Sequence, residues 1–135
     1  MKFFEIHETT HSVYLVLEYL PGGELLRKIS RKKIIKDKYI RVIMKKILRG
    51  LAYMHNLGIM HRDLKFENLM LMNKKISSIR FIDFGLATFI DDENYIHKRC
   101  GTPGFVAPEV ILKGKTQDYN EKCDVFSAGV IFYIL

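Results

Sequence analysis

Two short polar clusters hold the residue types needed to move a charged group. His61-Arg62-Asp63-Leu64-Lys65-Phe66-Glu67-Asn68 lies between a glycine stop at Gly58 and a short apolar stretch. Asp83-Phe84-Gly85 follows directly on a second one. Both clusters put carboxylates at the ends of elements, where side chains from separate segments converge on a cleft. Asp63, Lys65, Asn68 and Asp83 together offer a base, a cation and two hard oxygen ligands. Magnesium takes such oxygens and completes its octahedron with waters and phosphates. The combination suits phosphoryl transfer, in which positioning and electrostatics supply most of the catalysis. Either cluster alone is uninformative, since a lone Asp-Phe-Gly is commonly a turn and a lone His-Arg-Asp a solvated loop. Their order and spacing give the pair its weight.

The elements that must position these residues are legible around them. Phe3 to His7 and Val13 to Tyr19 read as strands joined by the polar turn Glu8-Thr9-Thr10-His11. Pro21-Gly22-Gly23 ends the second strand, and a short helix follows from Glu24. Tyr39, Ile40, Ile43, Met44, Ile47, Leu48, Leu51 and Met54 recur at three- and four-residue steps, which predicts one amphipathic helix over residues 38–57. Asp37 is its expected N-cap and Gly58 its C-terminal stop. Leu69 to Met72 and Ile79 to Ile82 are short strands around Asn73-Lys74-Lys75. Residues 83–109 read as a long functional loop, and a buried helix is expected from Asp124 onward.

The composition bounds the class. The 135 residues fit one domain, and 48% are hydrophobic against 27% charged, as in a soluble globular chain. Cys100 and Cys123 stand far apart in no metal-ligand spacing, which argues against a disulfide or zinc scaffold and predicts a reducing, cytoplasmic setting. The opening residues hold too short an apolar stretch for a secretory signal. The apolar run from Val125 to Leu135 is broken by Ser127, Ala128 and Gly129, well short of the ~20 residues that span a bilayer. The net charge of +7 is local, with eleven Lys or Arg between Arg27 and Arg49 against Asp37 alone. Those charges read first as the wet faces of two helices, then as a docking surface for an acidic partner. No recognised nucleic-acid module accompanies them.

HRDLKFEN at 61–68, DFG at 83–85 and GTPGFVAPE at 101–109 together resemble the protein kinase family, over essentially the whole chain. Ten specified positions match in order, a coincidence on the order of 10⁻¹³ at ~5% usage per residue type. The resemblance implies an α+β, protein kinase-like fold, present in part. Residues 1–17 would be the last strands of the small lobe, 18–23 the hinge and 24–135 the beginning of a mostly helical large lobe. It implies transfer of the ATP γ-phosphate to Ser/Thr hydroxyls of protein substrates, with Mg²⁺. Asp63 resembles the catalytic base, Lys65 the contact to the transferred phosphate, and Asn68 and Asp83 the magnesium ligands. Leu17 resembles the gatekeeper beside adenine. Backbone groups of Glu18 and Leu20 would bond the adenine edge, Met70 would lie under its ring and Glu24 at the ribose rim. His61 and Phe84 resemble members of a packed internal column, and Gly85 the pivot of the activation segment. Glu109 resembles the acid that anchors the far end of that segment, and Asp124 the anchor of the catalytic-loop backbone. Lys65 and Thr102 match the serine/threonine pattern, with Thr102 bridging base and lysine. Glu24 and Glu67 would favour basic residues upstream of the acceptor. GTPGFVAPEV is similar to calcium/calmodulin-dependent and related kinases.

The chain departs from that pattern in several places. Phe66 stands where proline is usual, and Lys98 where many relatives carry a phosphorylatable threonine that Arg62 pairs with. Asp91, Asp92 and Glu93 would then substitute for the phosphate, or Thr88 or Tyr95 be the modified residue. The Gly-rich loop and the strand lysine of the family are absent from these residues. The expectation is therefore a fragment that, alone, is unstable and inactive. Two alternatives stand beside the enzyme: a non-catalytic module with kinase-like packing, and a basic interaction domain working through residues 27–49.

Overall fold

A computed structural model describes residues 1–31, 34–92, 97–113 and 119–135. Strands β1 (Phe3–Glu8) and β2 (Val13–Leu17) form an antiparallel hairpin. Its turn is tied by Thr9, whose N–H and hydroxyl both donate to the Ser12 carbonyl, at 2.8 and 3.1 Å. Valine and aromatic residues favour this extended backbone. Yet Phe3, Phe4, Ile6, Val13 and Leu15 all remain more than half exposed, because no second layer among the described residues covers either face of the ribbon.

Strand β3 (Gly23–Glu24) leads into helix α1 (Leu25–Ser30), which buries Leu25 and Ile29. Helix α2 (Asp37–Asn56) is the long amphipathic element. Its 20 residues span about 30 Å. Ile43, Ile47, Leu51 and Met54 form the buried stripe. Leu48 was expected on that stripe but is 47% exposed. It sits one residue past Ile47, about 100° around the helix and off the face. Asp37 is not the N-cap: Lys36 holds that place, its carbonyl accepting from the Tyr39 N–H at 2.8 Å, and Asp37 is the first helical residue. A carboxylate there still complements the N-terminal end of the helix dipole. Gly58, at φ +72°, reverses the chain after the helix in a conformation that costs other residues strain.

Strand β4 (Ile59–Met60) then enters the loop that carries His61 to Lys65. A 3-10 turn over Phe66–Asn68 delivers strand β5 (Leu69–Leu71), which pairs on one side with β3 and on the other with β6 (Ile79–Phe81). Residues 83–109 are not one continuous loop. Strand β7 (Thr88–Phe89) pairs antiparallel with β4, and helix α3 (Pro108–Lys113) opens with proline at its first turn. Two-residue strands carry no periodicity, so β4 and β7 left no signal in the sequence.

Helix α4 (Lys122–Ile134) begins two residues before Asp124. It was expected to be buried, but only Cys123, Asp124, Ser127, Ala128 and Ile131 are. Val125, Phe126, Phe132, Tyr133 and Ile134 are exposed, because only one face meets the rest of the described chain. The main core gathers α1, α2, β5 and the inner face of α4, with Leu64 and Phe66 from the loop between β4 and β5. A smaller core joins Met60, Ala107, Val110, Tyr119 and Cys123. No helix among the described residues is long and apolar enough to cross a membrane.

Candidate active site

The loop between β4 and β5 is built around a buried carboxylate that does no chemistry itself. Asp124, fully buried on α4, accepts the backbone N–H of His61 and that of Arg62, both at 2.8 Å. His55 Nε2, from the last turn of α2, lies 3.0 Å from the same carboxylate. Arg62 takes φ +67°, a left-handed backbone unusual for any residue but glycine. Such a residue persists where its surroundings over-determine it, and the two bonds to Asp124 are that determination.

The strained step turns Asp63 toward a ring of donors. Lys65 Nζ lies 2.8 Å from Asp63 Oδ2 and 2.8 Å from Thr102 Oγ1, and the Thr102 hydroxyl donates to Asp63 Oδ1 at 2.6 Å. Asn68 Nδ2 donates to the Asp63 carbonyl at 2.8 Å and to Oδ2 at 3.2 Å. Burial of Asp63 alone would raise its carboxyl pKa. The hydrogen bonds from Lys65, Thr102 and Asn68, with the lysine charge, outweigh that and hold it below the usual carboxylate range. The group is an anion at neutral pH. Gly101 makes the closure possible. At φ +114° it lies so near the Arg62 carbonyl that a Cβ would stand 2.8 Å from that oxygen.

Asp83 sits beside this ring through the backbone. The N–H of Ile82 donates to the Asn68 carbonyl at 3.0 Å, which sets the start of Asp83-Phe84-Gly85 against the end of the catalytic loop. Asp83 is exposed, at φ +59°, and its Oδ1 accepts the Gly85 N–H at 3.2 Å. Its other carboxylate oxygen and the amide oxygen of Asn68 accept no hydrogen bond among the described residues. That donor set fits a magnesium ion that brings its own waters and phosphates. It does not make a self-sufficient metal cage, and no group of three or more His, Cys, Asp or Glu does so among the described residues.

His61 is fully buried and stacks tilted on Phe84, ring centroids 5.1 Å apart. Its Nδ1 accepts from the Asp63 N–H, so Nε2 is the nitrogen that donates to the Ile82 carbonyl, at 3.2 Å. Phe84 nonetheless remains 44% exposed. Phe66, in the usual proline position, is buried in the core and packs there. Arg62 donates from Nε to the Leu86 carbonyl and from Nη1 to the His97 carbonyl, each at 2.6 Å, and from Nη1 to the Tyr119 hydroxyl at 3.0 Å. Burial holds the Tyr119 phenol far above its usual pKa, so it stays a neutral hydroxyl. Lys98 and Asp91 are exposed, and Thr88 is half-buried with its hydroxyl 3.4 Å from Asp92. Glu93 and Tyr95 lie outside the described residues.

The remaining predicted residues surround this centre at greater remove. Leu17 ends β2, half exposed. The Glu18 N–H donates to the Lys2 carbonyl at 2.8 Å, and Leu20 is buried with its carbonyl accepting from the Gly23 N–H at 3.2 Å. Glu24, exposed, pairs across the sheet with half-buried Met70. Glu67 is exposed on the 3-10 turn. Glu109 is half-buried in the first turn of α3, in no ion pair among the described residues. Sequence reasoning missed His55 and Tyr119. His55 stands one turn before Gly58, where the helix end had to meet the catalytic loop. Tyr119 carries no local signal, since it reaches Arg62 only through the fold.

The protein kinase domain family matches residues 1–135. The chain is 41% identical over 131 residues to a probable serine/threonine-protein kinase, fhkC, of Dictyostelium discoideum, covering 97% of this chain and 22% of that protein. It is 43% identical over 134 residues to probable serine/threonine-protein kinase 2 of Plasmodium falciparum, covering 98% and 26%. It is 42% identical over 137 residues to calcium-dependent protein kinase 3 of Plasmodium yoelii yoelii, covering 100% and 25%. The chain thus spans less than half the length of these relatives. From end to end, this chain belongs to the protein kinase domain family.

Proposed function

We propose that the protein carrying this chain is an ATP- and Mg²⁺-dependent serine/threonine protein kinase. The observation that carries this reading is the closed ring of Asp63, Lys65, Thr102 and Asn68 around a carboxylate held ionised. An acceptor hydroxyl beside Asp63 gives up its proton to that carboxylate as its oxygen bonds to the γ-phosphorus. The bond from phosphorus to the bridging oxygen breaks, leaving ADP. Lys65 then turns from the ring to the transferring phosphate. Asn68 and Asp83 would hold magnesium, which when bound would supply charge neutralisation on the phosphates.

At the nucleotide end, Leu17 borders the adenine and Met70 lies beneath it. The Glu18 N–H is taken, which leaves its carbonyl for the adenine edge, while Leu20 has its N–H to offer. Glu24 sits at the ribose rim, and Glu24 and Glu67 favour basic residues before the acceptor. Residues 1–17, 18–23 and 24–135 are then small-lobe strands, hinge and large lobe, in a cytoplasmic enzyme whose substrates are proteins. The bonds that Arg62 donates to the Leu86 and His97 carbonyls and to the neutral Tyr119 hydroxyl already tie this segment, which supports activity without phosphate at position 98.

The test uses the whole protein. Asp83→Asn is expected to abolish Mg·ATP binding, measured by calorimetry, and Asp63→Asn to lower kcat at least a hundredfold with ATP binding retained. Full activity in Asp63→Asn would overturn the assignment of the base.

A further inference from the structure

We infer that the hollow beside the hinge, which adjoins the nucleotide end of the phosphoryl-transfer site at Glu24, is a docking site for an acidic segment of a protein partner. A cavity of about 420 Å³ lies between Pro21-Gly22-Gly23 and the outer side of α1. Arg27, Lys28, Arg31 and Lys74 line it, against the lone acid Glu24. Its size lies within the range of ligand pockets.

Among the described residues, the side chains of Arg27, Arg31 and Lys74 make no hydrogen bond or ion pair that would hold the fold. Arg27 and Arg31 stand four residues apart, on one face of the α1 turn, where like charges repel. Among the described residues none of the four has a carboxylate within ion-pair distance. The dipole of α1 favours a cation at its C-terminal end, which accounts for a charge on the helix itself. It does not account for Lys74, which the β5–β6 turn brings to the same hollow from far along the chain. The Lys28 ammonium donates to the Lys74 carbonyl and so fixes that turn against α1. A built concavity with four positive charges, three of them without a hydrogen-bond or ion-pair partner among the described residues, matches carboxylates in a short run. Its lining holds no aromatic ring on which a base would stack, which favours an acidic polypeptide over single-stranded nucleic acid. Because β3 pairs with β5, two residues beyond Asn68, a substrate docked here lies one strand pair from the catalytic loop.

The experiment compares the whole protein with its Arg27→Glu/Arg31→Glu/Lys74→Glu variant and with the milder Gln triple. All three side chains are exposed or half exposed, and none belongs to the catalytic site. Fluorescence anisotropy follows a labelled peptide carrying six glutamates and a Gly-Ser peptide of equal length. The glutamate peptide is expected to bind about tenfold more weakly to either variant, and more weakly in raised salt. Equal binding to wild type and both variants refutes the docking site. So does a variant that loses an oligonucleotide or phosphatidylserine vesicles while the glutamate peptide binds nothing. The kinetic arm alone rests on the kinase reading: an acceptor peptide with the acidic tract should show a KM about tenfold lower, a gain absent in the variants at equal kcat. Intact anisotropy results without phosphoryl transfer to any peptide would sink the kinase reading and leave the groove standing.

Discussion

Replacing Asp124 by alanine should undo the catalytic loop from behind, with no reacting group touched. The carboxylate is fully buried and accepts two backbone N–H groups at 2.8 Å, with His55 as third partner. Its loss orphans both N–H donors in a region that water does not reach, at about 1–3 kcal/mol each. The total is about 2–6 kcal/mol. The left-handed Arg62 is held by the same two bonds, so part of that cost is relieved if the loop relaxes. Relaxation moves Asp63 off its ring of donors, and a displacement near 1 Å costs on the order of a hundredfold in rate. At about 2–4 °C per kcal/mol for a domain of 150–250 residues, the melting temperature of the whole protein should fall by roughly 5–20 °C. Differential scanning calorimetry and steady-state kinetics on a peptide acceptor measure the two effects. Asp124→Asn keeps the shape and one acceptor oxygen and should recover part of the loss in both. An alanine variant melting within about 2 °C of wild type, at unchanged kcat, would refute the reasoning.

Thr102→Val removes the donor to Asp63 Oδ1. The carboxyl pKa should rise, moving the acid limb of the kcat/KM profile to higher pH; an unmoved limb denies Thr102 its part in holding the base ionised. The linked stability has a defined sign. With the folded pKa below the unfolded value, ionised Asp63 stabilises above the unfolded carboxylate range, and acid titration removes that contribution. Tyr119→Phe strips a partner from the buried Arg62 guanidinium at about 1–3 kcal/mol, read by urea denaturation. Phosphatase treatment of wild type should leave activity unchanged, and its abolition would show that a phosphate, not the carbonyls and Tyr119, orders this segment. Gly50→Ala on α2 places a Cβ 2.2 Å from Phe81 Cε2, so despite alanine's better helix propensity it should destabilise by about 1–3 kcal/mol; a stabilised variant means the ring moves freely.

The clusters at 61–68 and 83–85 were legible because their chemistry depends on residue type at fixed spacing, which linear sequence stores directly. The stripe of α2 was legible for the same reason, since a period of 3.6 survives in the order of residues. Leu48, one position off that stripe, shows how narrowly burial is cut. Strands β4 and β7 were not legible: two residues have no period, and each exists only because the other lies beside it. His55 and Tyr119 reach Asp124 and Arg62 across 69 and 57 positions, contacts with no local cause. The same holds for Lys74, which sequence places in a turn and the fold places among the cations of α1. What sequence alone determined was which groups could react and which faces had to hide. What tertiary structure decided was which distant group each of them met, because hydrogen bonds and buried charge are settled by distance in space and not by order along the chain.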